Sequence, residues 1–403
     1  MKLRTLSAAL AVAGLGFGLS AQAAGISDDV IRIGFIADMS GVYADIDGNA
    51  GGDAIRMAIA DMGGEINGKK IELLTADHQN KADIASARAR EWFDQQHLDM
   101  LIGGTNSATA LAMAAVAAEK KKPFMVVGAG SSALTNAQCT PYTIHYAYNT
   151  IALANGTGSA VVAEGGKTWY YLTADYAFGH SLEQDTMKVV EASGGKNLGA
   201  VRAPLATTDF SSFLLQAQSS GAQVLGLANA GGDFINSAKA ATEFGITQTM
   251  KLAGLLVFIN DVHALGLENT AGLYLTAAWY WNQDDASRAW SKRFFDAHNR
   301  APSYLQAGDY SAAKTYLEAV KATGTDDADA IMQHIKSTKI NDMFTKNGYV
   351  RKDGLLMRDM YLVQVKKPEE SKAPWDYYNI VRTLPAESVY GAESTSTCAL
   401  LKQ

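Results

Sequence analysis

Two short loops in the chain hold residue types suited to gripping an anion. The first is Gly103-Gly104-Thr105-Asn106-Ser107-Ala108-Thr109, which runs into an Ala-rich stretch predicted as a helix over 108–119. Asn106 or Ser107 makes a good N-cap, and capping by itself accounts for these residues. The free amides and the dipole at the same place also favour a negative group. The second loop is Gly128-Ala129-Gly130-Ser131-Ser132, whose glycines permit close backbone approach and whose Ser131 supplies a donor. A third, Ser40-Gly41-Val42-Tyr43-Ala44-Asp45, is built of small residues around Tyr43. Tyr43 would cover a guest there, although an ordinary surface turn explains the loop equally well. No catalytic set accompanies these loops. There is no Gly-x-Ser-x-Gly elbow and no His-Glu-x-x-His. Gly103-Gly104 lacks the Lys of a phosphate-binding loop. The 7 His are scattered, and only His180, at a helix start, is placed to reach a cleft. Cys139 and Cys398 have no His or Cys at ligand spacing, so neither a metal site nor a cofactor is expected.

The elements that must position these loops alternate. Strands are predicted at 30–36, 70–75, 100–102 and 124–127, with helices at 49–62, 82–95 and 108–119 between them. The order repeats with strands at 169–173, 197–202, 224–228 and 251–255 and helices at 181–192, 210–219 and 234–244. Such alternation gives α/β architecture: two doubly wound parallel-sheet lobes with right-handed crossovers. After a strand at 272–281 that ends in an aromatic cluster, helices at 286–299 and 307–323 read as a return to the first lobe. A late strand at 357–365 reads as a return to the second. Repeated crossings make a hinge, and ligands of open α/β sheets sit beyond the carboxyl ends of the strands. The expected organisation is a signal peptide at 1–23, lobe I at 24–148 with 277–355, lobe II at 149–276 with 356–385, and a tail at 386–403.

The N-terminus carries Lys2 and Arg4, an uncharged apolar run to Leu19, and Ala21-Gln22-Ala23. That is a secretory signal pattern with cleavage expected after Ala23, and the run is too short to span a bilayer. A soluble, exported, periplasmic chain is expected. At 403 residues the chain exceeds one ordinary core. A net charge of −6 without a long basic run argues against nucleic acid as a partner. Two cysteines in an oxidising compartment predict one disulfide, Cys139–Cys398, tying the tail to the first half of the chain; two independent thiols are the plainer alternative.

Ile33-Gly34-Phe35-Ile36-Ala37-Asp38-Met39-Ser40-Gly41, Gly51-Gly52-Asp53-Ala54 and Ile66-Asn67-Gly68-Lys69 together resemble the opening of the branched-chain amino acid-binding proteins. Ile102–Thr109, Thr173–Gly179 and Thr207–Ser211 extend the resemblance over nearly the whole chain. It implies a type I periplasmic binding fold with a three-crossover hinge, closure over a small solute, delivery to the membrane permease of an ABC importer, and a monomer. It also implies site residues. A ligand carboxylate would meet Ser107 or Thr109 and the Gly130–Ser131 loop. Phe178, beside Asp175, would stack on or cover it. Asn229 and Ala230 would line the opposite wall.

One departure bears on the guest. The resembling receptors hold a ligand ammonium with an acid in the loop after the 251–254 strand, where this chain has Leu256. An ammonium buried without a carboxylate costs several kcal/mol. An α-amino acid therefore fits poorly unless Asp45 or Asp233 supplies the charge. Leu256 and Phe258, with Trp279, Tyr280 and Trp281, suit a flat apolar body, so an aromatic carboxylate is the favoured solute. Packing is the plainer role for the tryptophans. An amino acid-binding receptor and, more remotely, an exported hydrolase are the alternatives.

Overall fold

The structure, a computed structural model, describes residues 25–402. The signal segment and its cleavage after Ala23 lie outside the described residues. Lobe I is a six-stranded sheet in the spatial order 65–66, 69–77, 30–37, 100–103, 124–126, 143–145. All neighbours are parallel except the two-residue Glu65–Ile66 strand, which turns back on its partner. The first strand lies inside the sheet, so successive crossovers leave it in opposite directions. That reversal opens a crevice at the carboxyl ends of the strands.

Side-chain alternation along these strands divides two cores. Phe35, Ile102 and Met125 join the face covered by helices Gly48–Asp61 and Tyr304–Thr323. Ile36, Leu101 and Phe124 join the face covered by Ala82–Gln95 and Ser107–Lys120. Burial of both faces explains why these strands read as continuous apolar runs.

Lobe II is a four-stranded parallel sheet in the order 251–254, 224–228, 168–174, 196–203. Two differences from the sequence reading follow. The late strand does not extend this sheet. Met360–Val365 pairs antiparallel with Tyr274–Ala277 and Tyr378–Leu384 in a separate three-stranded sheet. The aromatic run also leaves strand geometry after Ala277. Trp279 donates to Ser287 Oγ at 2.9 Å and packs edge-on against Trp290, Trp281 donates to the carbonyl of Trp375 at 2.8 Å, and Tyr280 packs on Tyr378. The plainer reading holds for the two tryptophans, which are packing residues, and Tyr280 packs alongside them.

The segments that pass between lobes are pinned together. Arg358, 2% exposed, donates to the carbonyls of Phe344 at 2.5 Å and Ala147 at 3.5 Å and lies 4.1 Å over the Phe344 ring. Tyr390 also donates to Ala147. Cys139 and Cys398 form the expected disulfide. No described helix is long and apolar enough to cross a membrane.

Candidate functional site

Buried Asp38 shapes the Ser40–Asp45 loop. Its carboxylate accepts the backbone N–H of Gly41 at 2.7 Å and of Tyr43 at 2.9 Å, and the Asn80 amide at 2.7 Å. The loop is thereby aimed across the crevice. The Tyr43 and Tyr176 hydroxyls meet at 2.6 Å, and Gly232 N–H donates to the Val42 carbonyl at 2.9 Å. Gly231 is required at this junction. Its φ is +56°, and a β-carbon there would fall 2.5 Å from the Val42 carbonyl oxygen. Asn260 donates to the Asp45 carbonyl at 3.2 Å. The lobes are in contact, so the structure is a closed one.

In the Gly103–Thr109 loop Asn106 takes the cap, accepting from Ala108 N at 2.8 Å and Thr109 N at 3.3 Å. Ser107 is thereby free of capping, and its hydroxyl accepts the N–H of Ser131 at 3.1 Å, joining the two anion-type loops. The Thr109 hydroxyl turns back to the Asn106 carbonyl at 2.7 Å. Gly130 passes between rings: a β-carbon there would lie 2.9 Å from Tyr148 and 3.2 Å from Phe178. Ser131 is buried.

From lobe II, Phe178 and Ala230 are buried and Leu256 is 4% exposed. Asn229 donates to Ser237 Oγ at 3.0 Å and leaves its own oxygen without a partner. The Asp175 side chain is half exposed and holds His180 at 2.8 Å, away from the buried set. Of the sequence-derived residues, the structure gathers Tyr43, Ser107, Gly130, Ser131 and Phe178 at the crevice. Thr109 and Asp175 have their polar groups engaged elsewhere.

Three aromatics that the sequence reading did not single out complete the lining. Tyr176 bonds Tyr43 and sits 6.1 Å from Phe178. Tyr148 touches Gly130, donates to the Gly128 carbonyl at 2.6 Å, and meets Tyr304 edge-on at 5.7 Å. Tyr304 stacks on Phe258 at 4.5 Å. The rings thus run from one lobe to the other. A signal for Tyr304 exists in the Ser303-x-x-Gln306 capping box, which starts its helix three residues before the predicted position.

Burial also shapes the charges. Asp233 has one oxygen on Ala206 N–H at 3.1 Å and the other without a partner, and burial pushes it up to about 6. Asp261 behaves alike: one oxygen caps Phe258 N–H at 2.8 Å, the other has no partner, and burial pushes it to about 7. Asp45, by contrast, is largely exposed and paired with Arg300.

Two sheets closed over a crevice at their strand ends match a known architecture over most of the chain: the periplasmic binding protein profile matches residues 30–372. The chain belongs to the periplasmic binding protein family. A crystal structure of a periplasmic binding protein from Burkholderia mallei is 63% identical with a TM-score of 0.91, over 92% of this chain and 99% of that one. The periplasmic ligand-binding protein of a branched-chain amino acid ABC transporter from Burkholderia xenovorans is 39% identical, TM-score 0.81, over 92% and 99%. A Leu/Ile/Val-binding protein homolog from Brucella melitensis is 25% identical over 90% of this chain and 93% of its own length. A Rhodopseudomonas palustris solute-binding protein crystallised with 3,4-dihydroxybenzoic acid shares the fold, at 22% identity and TM-score 0.80 over 89% and 98%. Periplasmic binding proteins of this type are solute receptors of ABC transporters rather than an enzyme class, and the type I fold expected from sequence is the one present.

Proposed function

We propose that this periplasmic receptor captures a small organic carboxylate, an aromatic acid before others, and presents it to the permease of an ABC importer. The observation that carries the reading is the joining of two donor-bearing loops through Ser107 and Ser131, beside rings that pack on Gly130, Tyr148 on one side and Phe178 on the other; we read Leu256 as further apolar cover. The loops supply amides and hydroxyls for a carboxylate. The rings supply flat apolar cover. We read Thr109, Asn229 and Ala230 as bordering the same crevice, and Asp175 as standing at its outer edge. Closure turns the binding event into a shape that a permease recognises. We place lobe I at 24–148 with 277–355, lobe II at 149–276 with 356–385 and the mature start after Ala23, and take the receptor to act as a monomer. Calorimetric titration of the mature protein with benzoate, 4-hydroxybenzoate and leucine tests the reading. Tight leucine binding with no response to either acid overturns the choice of solute.

A second reading, an amino acid receptor, draws support from the unpartnered oxygens of Asp233 and Asp261. Either would suit an ammonium that Leu256 does not serve.

A further inference from the structure

The C-terminal tail ends against the loop that carries Ser131. Cys398 is fully buried in its disulfide with Cys139, from which it is separated by 259 positions in sequence. Beside that bond, Thr397 N–H donates to Oδ1 of Asn136 at 3.0 Å, and the Ser396 hydroxyl donates to the Thr135 carbonyl at 2.9 Å. Asn136 Nδ2 in turn donates to the Ser132 carbonyl at 2.8 Å. One side chain thus bonds the tail with its oxygen and the loop with its nitrogen.

The loop needs such support. Its only regular structure is the short 3-10 turn Ser132–Thr135, a weakly bonded form. The Ser131 hydroxyl caps that turn from 3.4 Å, near the limit of a hydrogen bond. Other ties to Ser132 come from Thr150 at 3.1 Å, itself bonded to the Gly130 carbonyl, and from Ser181 at 3.2 Å and Asp185 at 2.9 Å, both on a lobe II helix. The last two are lost when the lobes part. The tail's bonds reach residues 135–139, within lobe I, and survive opening.

We propose that residues 393–402 are a positioning element: through Cys139–Cys398 and Asn136, the tail holds the Ser131–Ser132 loop in its ligand-ready shape while the receptor is open and empty. A preformed loop binds without first being ordered, which raises affinity. The loop's role in binding rests on the function proposed above; the clasp itself does not.

Hydrogen–deuterium exchange of the full mature chain without ligand tests it. Asn136→Ala keeps the disulfide and removes the relay; the Cys139→Ser/Cys398→Ser double variant removes the covalent link. The expected result is at least tenfold faster amide exchange over 131–136 in both, with strands Met100–Gly103 and Phe124–Val126 unchanged. Unchanged exchange over 131–136 in Asn136→Ala overturns the proposal. So does acceleration spread evenly over the lobe I sheet in the double variant, which would make the disulfide a general staple. If the double variant does not fold, Asn136→Ala decides alone. A loosened loop in a protein that takes up no organic acid leaves the clasp standing and removes the ligand reading.

Discussion

The hydroxyl of Tyr43, on lobe I, and the hydroxyl of Tyr176, on lobe II, lie 2.6 Å apart. The two walls of the crevice are therefore bonded directly, without a guest between these atoms. A bond made only in the closed state biases closure by its net strength. Tyr43→Phe or Tyr176→Phe removes it, at about 0.5–1.5 kcal/mol. The closed-to-open ratio should fall roughly twofold to tenfold. Because the two hydroxyls act as one unit, the double variant should lose no more than either single one. Interlobe fluorescence transfer reads the ratio; additive losses would show that the hydroxyls act separately.

Ser107 and Ser131 provide a second test. Ser107 Oγ accepts the buried Ser131 N–H at 3.1 Å. Ser107→Ala strands that donor, which costs about 1–3 kcal/mol of stability in urea unfolding. Ser131→Ala removes only the long 3.4 Å cap on Ala133 N–H from the fold; with the proposed carboxylate contact it should weaken binding by about 1.5–3 kcal/mol in calorimetry. Unchanged affinity would remove Ser131 from the site.

These loops were legible in the sequence because strand-end glycines and hydroxyls sit at the ends of apolar β-branched runs. The central strands were readable for the same reason: burial on both faces leaves no polar alternation to confuse them. The antiparallel sheet was not. Tyr378–Leu384 is an edge strand with its five central residues exposed, so it lacks an apolar signature. The aromatic lining was half legible. Tyr148 and Tyr304 come from distant segments that only the crossovers bring together. Trp279 and Trp281 were misleading because an aromatic run looks the same whether it faces a ligand or, as here, a neighbouring core.

A carboxyl pair predicts how stability changes with pH. A β-carbon on Gly51 would sit 2.3 Å from Asp47 Oδ1 and 2.7 Å from Asp309 Oδ2, so the two buried acids converge on one point. Burial pushes Asp47 up to about 6, against bonds from Asp309 and Thr105 and with the Asp38 charge nearby. Burial and the Asp47 charge push Asp309 well above the ordinary carboxylate range. The folded pair holds protons that the unfolded chain releases near 3.8. Its contribution is complete below that pH and is lost as pH rises through about 6 and beyond. Asp309→Asn keeps the shape and removes this loss. The unfolding free energy of Asp309→Asn minus that of the parent, read by urea unfolding, should therefore be more positive at pH 8 than at pH 5, with a gap on the order of 1–3 kcal/mol. A difference independent of pH would mean that the pair does not share a proton.

Asp233 separates the two solute readings. Its carboxyl, held up at about 6 by burial, is largely neutral at pH 5 and ionised at pH 8. An aromatic carboxylate stays anionic throughout that range, so the charge that appears on Asp233 opposes it and affinity falls as pH rises. An α-amino acid brings an ammonium that pairs with the ionised form, so its affinity rises over the same range. His78 and His145, pushed down to about 4 by burial, stay neutral across the window and add nothing to either slope. Asp261, at about 7, titrates in the window too, and Asp233→Asn isolates the one contribution from the other. With the aromatic solute, Asp233→Asn should at least halve the pH slope and leave affinity at pH 5 within about threefold, since the Asp233 it replaces is already mostly uncharged there. Calorimetry at both pH values reads the result. A loss of most binding in Asp233→Asn at pH 8, together with a rising slope in the parent, would assign the crevice to an amino acid.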